Sequence, residues 1–114
     1  MTLPNGHLAI IEERKLTDYL LNGAHPDNGG KARFFQGLGF SAEDVALFVG
    51  ALRQVAETGE VIDTIDSRYG IKFVVDGALQ AQAGNAAARS VRTVWIIERG
   101  ESVPRLVTAY PNED

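Results

Sequence analysis

The feature that most constrains the fold of this sequence lies at residues 91–111, which read VRTVWIIE, then RGES, then VPRLVTAYP. Both outer runs are rich in β-branched and aromatic residues, and the polar stretch between them contains a glycine. This pattern predicts two antiparallel strands, residues 91–98 and 103–110, joined as a hairpin. The hairpin carries the only tryptophan, Trp95. We therefore expect it to form the middle of a sheet, with Trp95 substantially buried.

Helical patterns precede the hairpin. Apolar residues, with Tyr19 among them, recur at helical spacing in residues 12–22. The same spacing is found in residues 31–38 and over the longest predicted helix, residues 41–57. Ser41 stands where an N-cap is expected. The last helix should bury one face, made of Val45, Phe48, Val49 and Leu52, against the sheet.

Strand patterns follow these helices. Residues 61–67 and 71–79 alternate in polarity about a turn at 68–70, and the short apolar run at 8–11 favours an edge strand. Residues 80–89, rich in Ala and Gly, are predicted to form a mobile connection. The predicted fold is α+β, with N-terminal helices packed on a four-stranded antiparallel sheet. We expect a single domain over residues 1–114, with its core at about residues 8–111.

Composition limits the classes of function. The sequence has no cysteine and only two histidines, which excludes thiol chemistry and argues against a metal centre or other cofactor. No apolar run approaches the roughly 20 residues that span a bilayer. Residues 1–7 lack the pattern of a signal peptide, so we expect a cytoplasmic protein without membrane association. The net charge of -4 disfavours broad, non-specific binding of nucleic acid.

The first candidate site contains the only histidine in the middle of the sequence. His25 precedes Pro26, and Lys31 and Arg33 follow at the start of a predicted helix. A helix N-terminus beside a lysine and a histidine suits a phosphate or a carboxylate. The alternative is structural: His25 and Pro26 shape a turn, and both cations are solvated.

The second candidate group consists of hydroxyl side chains on the predicted hairpin. With a period of two, Thr93 shares a face with Trp95, and Thr108 shares a face with Leu106 and Tyr110. The hydroxyls of Thr93, Thr108 and Tyr110 could then align across the two strands. The alternative is that these side chains serve strand propensity and packing alone, with Trp95 in the core.

Several sequence blocks resemble a small bacterial domain family with no settled activity. Its members occur as stand-alone proteins and as C-terminal pieces of phage-related or polymorphic-toxin proteins. The resemblance covers about residues 15–111. The blocks that carry it are Lys15-Leu16-x-x-Tyr19-Leu20-Leu21, His25-Pro26, Lys31-Ala32-x-Phe34-Phe35, Leu38-Gly39-Phe40, Tyr69-Gly70-x-Lys72, Thr93-x-Trp95 and Leu106-Val107-Thr108-Ala109-Tyr110-Pro111.

In the order of its elements, the sequence is also similar to toxin ribonucleases of the barnase-EndoU-colicin-RelE group. The similarity implies helices before a four-stranded sheet, and a site made of a histidine, cations and a strand hydroxyl. It implies catalytic roles for His25, Lys31 and Thr108. It also implies that Arg33, Thr93 and Tyr110 bind the substrate. The sequence departs from that group in having one well-placed histidine and a net negative charge.

Three hypotheses about function therefore stand beside one another. The first is a metal-independent, toxin-like ribonuclease with RNA as its partner. The second is a non-catalytic module that binds a protein, such as a cognate neutralising protein or the product of a paired toxin/antitoxin-like gene. The third is a small-molecule pocket between helix and sheet. The ribonuclease hypothesis requires His25, Lys31 and a hydroxyl of Thr93, Thr108 or Tyr110 to converge in one open cleft.

Overall fold

A computed structural model describes residues 1–23, 29–80 and 88–112. Most of the predicted mobile connection, and His25 with its loop, lie outside these described residues. Four strands form one antiparallel sheet in the order β1-β2-β3-β4. The strands are β1 (Glu60–Ser67), β2 (Gly70–Leu79), β3 (Arg89–Glu98) and β4 (Arg105–Pro111). With helices before this sheet, the predicted α+β fold is confirmed.

The predicted hairpin is formed by β3 and β4. Of these two strands, β3 is internal to the sheet and β4 is not. β4 is an edge strand, so the expectation that the whole hairpin forms the middle of the sheet is wrong. The chain near Ile10 lies along that edge. The Ile10 N–H donates to the Pro104 carbonyl at 2.8 Å, and the Ile10 carbonyl accepts from the Leu106 N–H at 3.0 Å. The edge strand predicted at residues 8–11 is thus a single parallel bridge between Ile10 and Arg105.

The helices lie close to their predicted positions. Helix α1 (Glu13–Lys15) continues directly as a π-helical turn (Leu16–Leu20), and α2 spans Gly29–Gly37. A 3-10 turn (Ala42–Asp44) leads into the longest helix, α3 (Val45–Thr58). None of the helices in the described ranges is long and apolar enough to cross a membrane.

Ser41 does not act as the predicted N-cap. Its side chain makes no capping hydrogen bond, because the chain first forms the 3-10 turn before α3 begins. The Ser41 backbone carbonyl accepts the Asp44 N–H at 3.2 Å instead. The start of the helix is therefore satisfied by backbone geometry, without the Ser41 hydroxyl.

The core lies between the helices and one face of the sheet. Helix α3 packs on β2. Of the four residues predicted to be buried, Phe48 and Leu52 are fully buried, whereas Val45 and Val49 are half-buried. The predicted burial of Trp95 is confirmed, since its side chain is completely inaccessible to solvent.

A β-bulge at Val107 shifts the register of β4. Val94 lies opposite Thr108, but the next residue, Trp95, lies opposite Leu106, so Val107 is an extra residue. Such a bulge changes which side chains face the core. Leu106 is buried, whereas Thr108 and Tyr110 are half-buried on the opposite face of the sheet. The prediction that Leu106 shares a face with Thr108 and Tyr110 is therefore wrong.

Candidate functional site

The centre of the candidate site is the ammonium group of Lys31. Its Nζ donates to the Tyr19 hydroxyl at 3.1 Å and to the Thr108 Oγ1 at 3.3 Å. The same nitrogen lies 5.2 Å from the centre of the Tyr19 ring and 5.8 Å from that of Tyr110, within the range of a cation–π contact. Lys31, which belongs to α2, thus contacts both the π-helical turn and strand β4.

Local backbone features bring these side chains together. Tyr19 lies in the π-helical turn, and Lys31 lies in the first turn of α2. Thr108 directly follows the bulge at Val107, and Lys15 Nζ donates to the Val107 carbonyl at 3.0 Å. Both π-helical turns and bulges are frequent beside functional sites, because each redirects a side chain out of a regular pattern.

An open cleft of about 590 Å³ lies beside Lys31 and Thr108. Two carboxylates line it, and each is paired with an arginine. Arg105 donates to Glu12 at 2.8 Å, and Arg14 lies 3.5 Å from Asp18. The hydrogen bond to Glu12 is the main cause that raises the pKa of Arg105 above its ordinary value. Arg105 is shared, because its Nε also lies 3.3 Å from the Glu98 carboxylate.

The two lysines of the cleft have a different environment. The described hydrogen bonds of Lys15 and Lys31 go to a backbone carbonyl and to hydroxyl oxygens, which carry no formal charge. Neither lysine belongs to a salt bridge between described residues. The side chains that line the cleft include three cations and two carboxylates, so the lining has a net charge of +1. Such a place attracts an anion.

Comparison with known sequences identifies the family. A model described as a domain of unknown function, DUF6883, matches residues 2–113. The chain belongs to this family. No curated protein matches the sequence. The match spans the helices, the sheet and both lysines of the cleft, so all of these features are part of the DUF6883 domain.

A solved structure shares the fold of this DUF6883 domain. It is a chain of the contact-dependent growth inhibition toxin–immunity protein complex from Klebsiella pneumoniae 342. The TM-score is 0.73 at 15% sequence identity, and the match covers 96% of this chain and 98% of that chain. At this identity the likeness concerns the fold alone, over nearly the full length of both chains.

The structure of the DUF6883 domain brings together some of the predicted site residues. Lys31, Thr108 and Tyr110 meet as described, and Arg33 is exposed on α2 without a described contact to them. His25 lies outside the described residues. The predicted convergence is therefore present for the lysine and the strand hydroxyl.

Thr93 lies elsewhere, in the core. It is fully buried, its hydroxyl donates to the Val75 carbonyl at 2.8 Å, and it accepts the Trp95 indole N–H at 2.7 Å. It pairs with Ala109, so it faces away from Thr108 and Tyr110. The expected alignment of Thr93 with these hydroxyls is wrong, because adjacent residues of a strand point to opposite faces.

Lys15 and Tyr19, whose side chains form hydrogen bonds in the cleft, were not among the predicted site residues. Lys15 and Tyr19 are four apart, which places them on one side of a helical segment. Their spacing within the Lys15-to-Leu21 block was the available signal, but Tyr19 was assigned to an apolar stripe. Among the described residues, no three His, Asp or Glu side chains are grouped as metal ligands would be.

Proposed function

We propose that this domain is a metal-independent, toxin-like endoribonuclease whose cleft binds the scissile phosphate at Lys31. The observation that carries the proposal is the contact of Lys31 with the hydroxyls of Tyr19 and Thr108 in an open cleft. A phosphate oxygen is a stronger partner for an ammonium group than a neutral hydroxyl. A phosphate entering the cleft would therefore take Lys31 as a partner, with both hydroxyls nearby as donors.

The proposed reaction uses the 2'-hydroxyl of RNA as its nucleophile. The 2'-oxygen bonds to phosphorus while the bond from phosphorus to the 5'-oxygen breaks, which yields a 2',3'-cyclic phosphate and a free 5'-hydroxyl. His25 takes the proton from the 2'-hydroxyl, and the Tyr19 hydroxyl donates one to the leaving oxygen. Lys31 stabilises the charge that develops on the phosphate, and Thr108 orients it.

Tyr110 and Arg33 are assigned to the RNA on either side of that phosphate. The Tyr110 ring lies beside Lys31 and is half-buried, so part of it is accessible for stacking by a base. Arg33 is exposed two residues after Lys31, where a neighbouring phosphate could reach it. The fold shared with a chain of a toxin–immunity protein complex supports a toxin-like domain and, equally, the partner of a toxin.

The charge of the domain predicts weak binding of RNA. The cleft offers two lysines in a protein of net charge -4. With about two phosphates neutralised, affinity for single-stranded RNA should fall about sevenfold between 50 and 200 mM salt. A basic protein that makes many phosphate contacts would lose several hundred-fold or more over the same range.

Cleavage of total cellular RNA in the presence of a chelator tests the proposal. Lys31→Ala should lower the rate by about 10²- to 10³-fold, the range for removing one group that stabilises the transition state. His25→Ala should abolish the pH dependence of the rate as well as most of the activity. Tyr19→Phe and Thr108→Val test the two hydroxyls while keeping the size of each side chain.

Lys72→Ala is the matched control, because it removes the same charge from β2, where Lys72 pairs with Ile65 and Ile96. It should cleave RNA like the wild type. Equal rates for wild type and Lys31→Ala, or no cleavage by the wild type, would contradict the ribonuclease assignment.

A second candidate function is a non-catalytic module that binds a protein. The observation that favours it is a concentration of exposed apolar side chains around β1, away from the residues that line the cleft. A protein that only binds would retain this surface while showing no RNA cleavage.

A further inference from the structure

Strand β1 is uncovered on both of its faces. Only Val61 and Ser67 are half-buried, and the other six residues of its eight are exposed. Thr64 lies opposite the buried Phe73, so it points toward the helix side of the sheet, yet it is exposed. The helix layer therefore ends over β2, and β1 projects beyond it.

Exposed apolar side chains concentrate on this projecting strand and the turn after it. The described residues include eight large hydrophobic side chains that are exposed, and four of them fall within residues 62–71. These four are Ile62, Ile65, Tyr69 and Ile71. They lie on both faces of the edge, because Ile65 pairs with Lys72 whereas Ile71 pairs with Asp66.

The outer edge of β1 offers backbone groups for pairing. In an antiparallel pair, alternate residues turn their N–H and C=O groups away from the partner strand. The Val61 N–H donates to the Met1 carbonyl at 2.9 Å, so a peptide group already pairs with the beginning of this edge. The Thr64 N–H donates to the Asp63 carboxylate of its own strand at 2.9 Å. Within the part of the chain that the structure describes, this local contact is the one that an incoming strand would displace at Thr64.

The charge of β1 determines which partner fits. The strand carries Glu60, Asp63 and Asp66 and has no lysine or arginine. A second copy of this chain would bring the same three carboxylates, and no cation, to this edge. Like charges opposite each other destabilise a sheet. RNA would also be repelled, whereas lysine or arginine side chains would be attracted.

We infer that β1 is the docking edge for a protein partner, which adds an extended segment of apolar and basic residues to the sheet. Main-chain hydrogen bonds would hold such a segment, and its side chains would set the specificity. The segment would need a basic side chain on each face of the sheet, because Asp63 and Asp66 point to opposite faces. Apolar side chains between the two basic ones would cover Ile65. This surface is separate from the cleft, and the inference does not depend on whether the cleft cleaves RNA.

Three blocked heptapeptides serve as probes in an NMR titration of the whole protein. The first is Lys-Lys-Val-Val-Lys-Lys-Val, which presents lysine and valine on both faces of a strand. The second has glutamate in place of each lysine, and the third is the lysine peptide with its central valine replaced by proline. The lysine peptide should bind, with shift changes concentrated at residues 60–67. The glutamate peptide should not bind. The proline peptide should bind more weakly, because it lacks one backbone donor and its ring disturbs strand pairing.

Charge variants of the protein complete the test. The double variant Asp63→Asn, Asp66→Asn should weaken binding of the lysine peptide roughly 2- to 30-fold, the sum of two exposed charge pairs. The control Glu43→Gln, Asp44→Asn removes the same charge from the 3-10 turn before α3 and should leave binding unchanged. Lys31→Ala should also bind the peptide normally, and both double variants should keep the RNA-cleavage rate of the wild type.

Three results would overturn the inference. They are no binding of the lysine peptide at millimolar concentration, equal binding of the lysine and glutamate peptides, and shift changes centred outside β1. Sedimentation of the protein alone should give a monomer. A dimer that the double variant strengthens would mean that a second copy occupies this edge.

Discussion

Replacing Phe48 tests the central packing of the domain. Its side chain is fully buried, and its ring centre lies 4.8 Å from those of both Phe35 and Phe40. Truncating a buried phenylalanine to alanine costs about 3 to 5 kcal/mol, because burial is lost and a cavity remains. Loss of the two ring contacts, worth about 0.5 to 1.5 kcal/mol each, favours the upper end of that range. Phe48→Ala should therefore lower the free energy of unfolding by about 4 to 5 kcal/mol.

The assay is urea unfolding followed by the fluorescence of Trp95, the only tryptophan and a fully buried one. For a domain of this size the melting temperature should fall by about 15 to 25 °C. Leu47→Ala is the control, since Leu47 is the preceding residue of α3 and its side chain is 45% exposed. It should cost less than about 1 kcal/mol. A loss below 1 kcal/mol for Phe48→Ala, or equal losses for both variants, would refute the assigned packing.

Two further substitutions test the sheet. Thr93→Val should destabilise the protein by about 1 to 3 kcal/mol in urea unfolding, because the buried Trp95 N–H loses its acceptor. A neutral result would mean that this hydrogen bond is replaced. Gly70→Ala should cost about 2 to 4 kcal/mol, since Gly70 has φ 148° and an added Cβ would overlap the Ile97 carbonyl. Gly100→Ala, with φ 83° and open space around it, should cost only about 1 to 2 kcal/mol and is its control.

The sequence was sufficient to predict most of the secondary structure. Alternation around the turn at Arg68 and Tyr69 correctly predicted β1 and β2, and helical spacing around Phe48 correctly predicted α3. These signals are strong because each repeats over several residues of one element. The strand order, β1 to β4 in sequence, is the simplest antiparallel arrangement.

The errors occur where a single residue breaks the repeat. The extra residue Val107 reverses the alternation, so Leu106 and Thr108 point to opposite faces. The residue type does not mark Val107 as a bulge, because valine is also common at regular positions of a strand. Ser41 was expected to cap α3, but the intervening 3-10 turn shifts the start of the helix. Bulges and terminal turns depend on tertiary packing, which a local pattern does not contain.

The candidate site was only partly predictable for a related reason. Lys31 and Thr108 were selected, because a lysine near a helix start and a strand hydroxyl are recognisable from the sequence. Tyr19 was assigned to the core, since an aromatic residue at helical spacing usually packs inward. Its hydroxyl reaches Lys31 through the π-helical turn, a deviation that the spacing of apolar residues does not reveal.

The contacts of the two lysines also bear on when the cleft forms during synthesis. Lys31 reaches Thr108 across 77 residues of sequence, and Lys15 reaches Val107 across 92. A nascent chain that ends before β4 has both lysines but neither of these partners. Pairings of such long sequence separation form late and slowly in folding. A ribosome can therefore translate most of this domain before the cleft exists, and fragments from early termination or proteolysis would lack it.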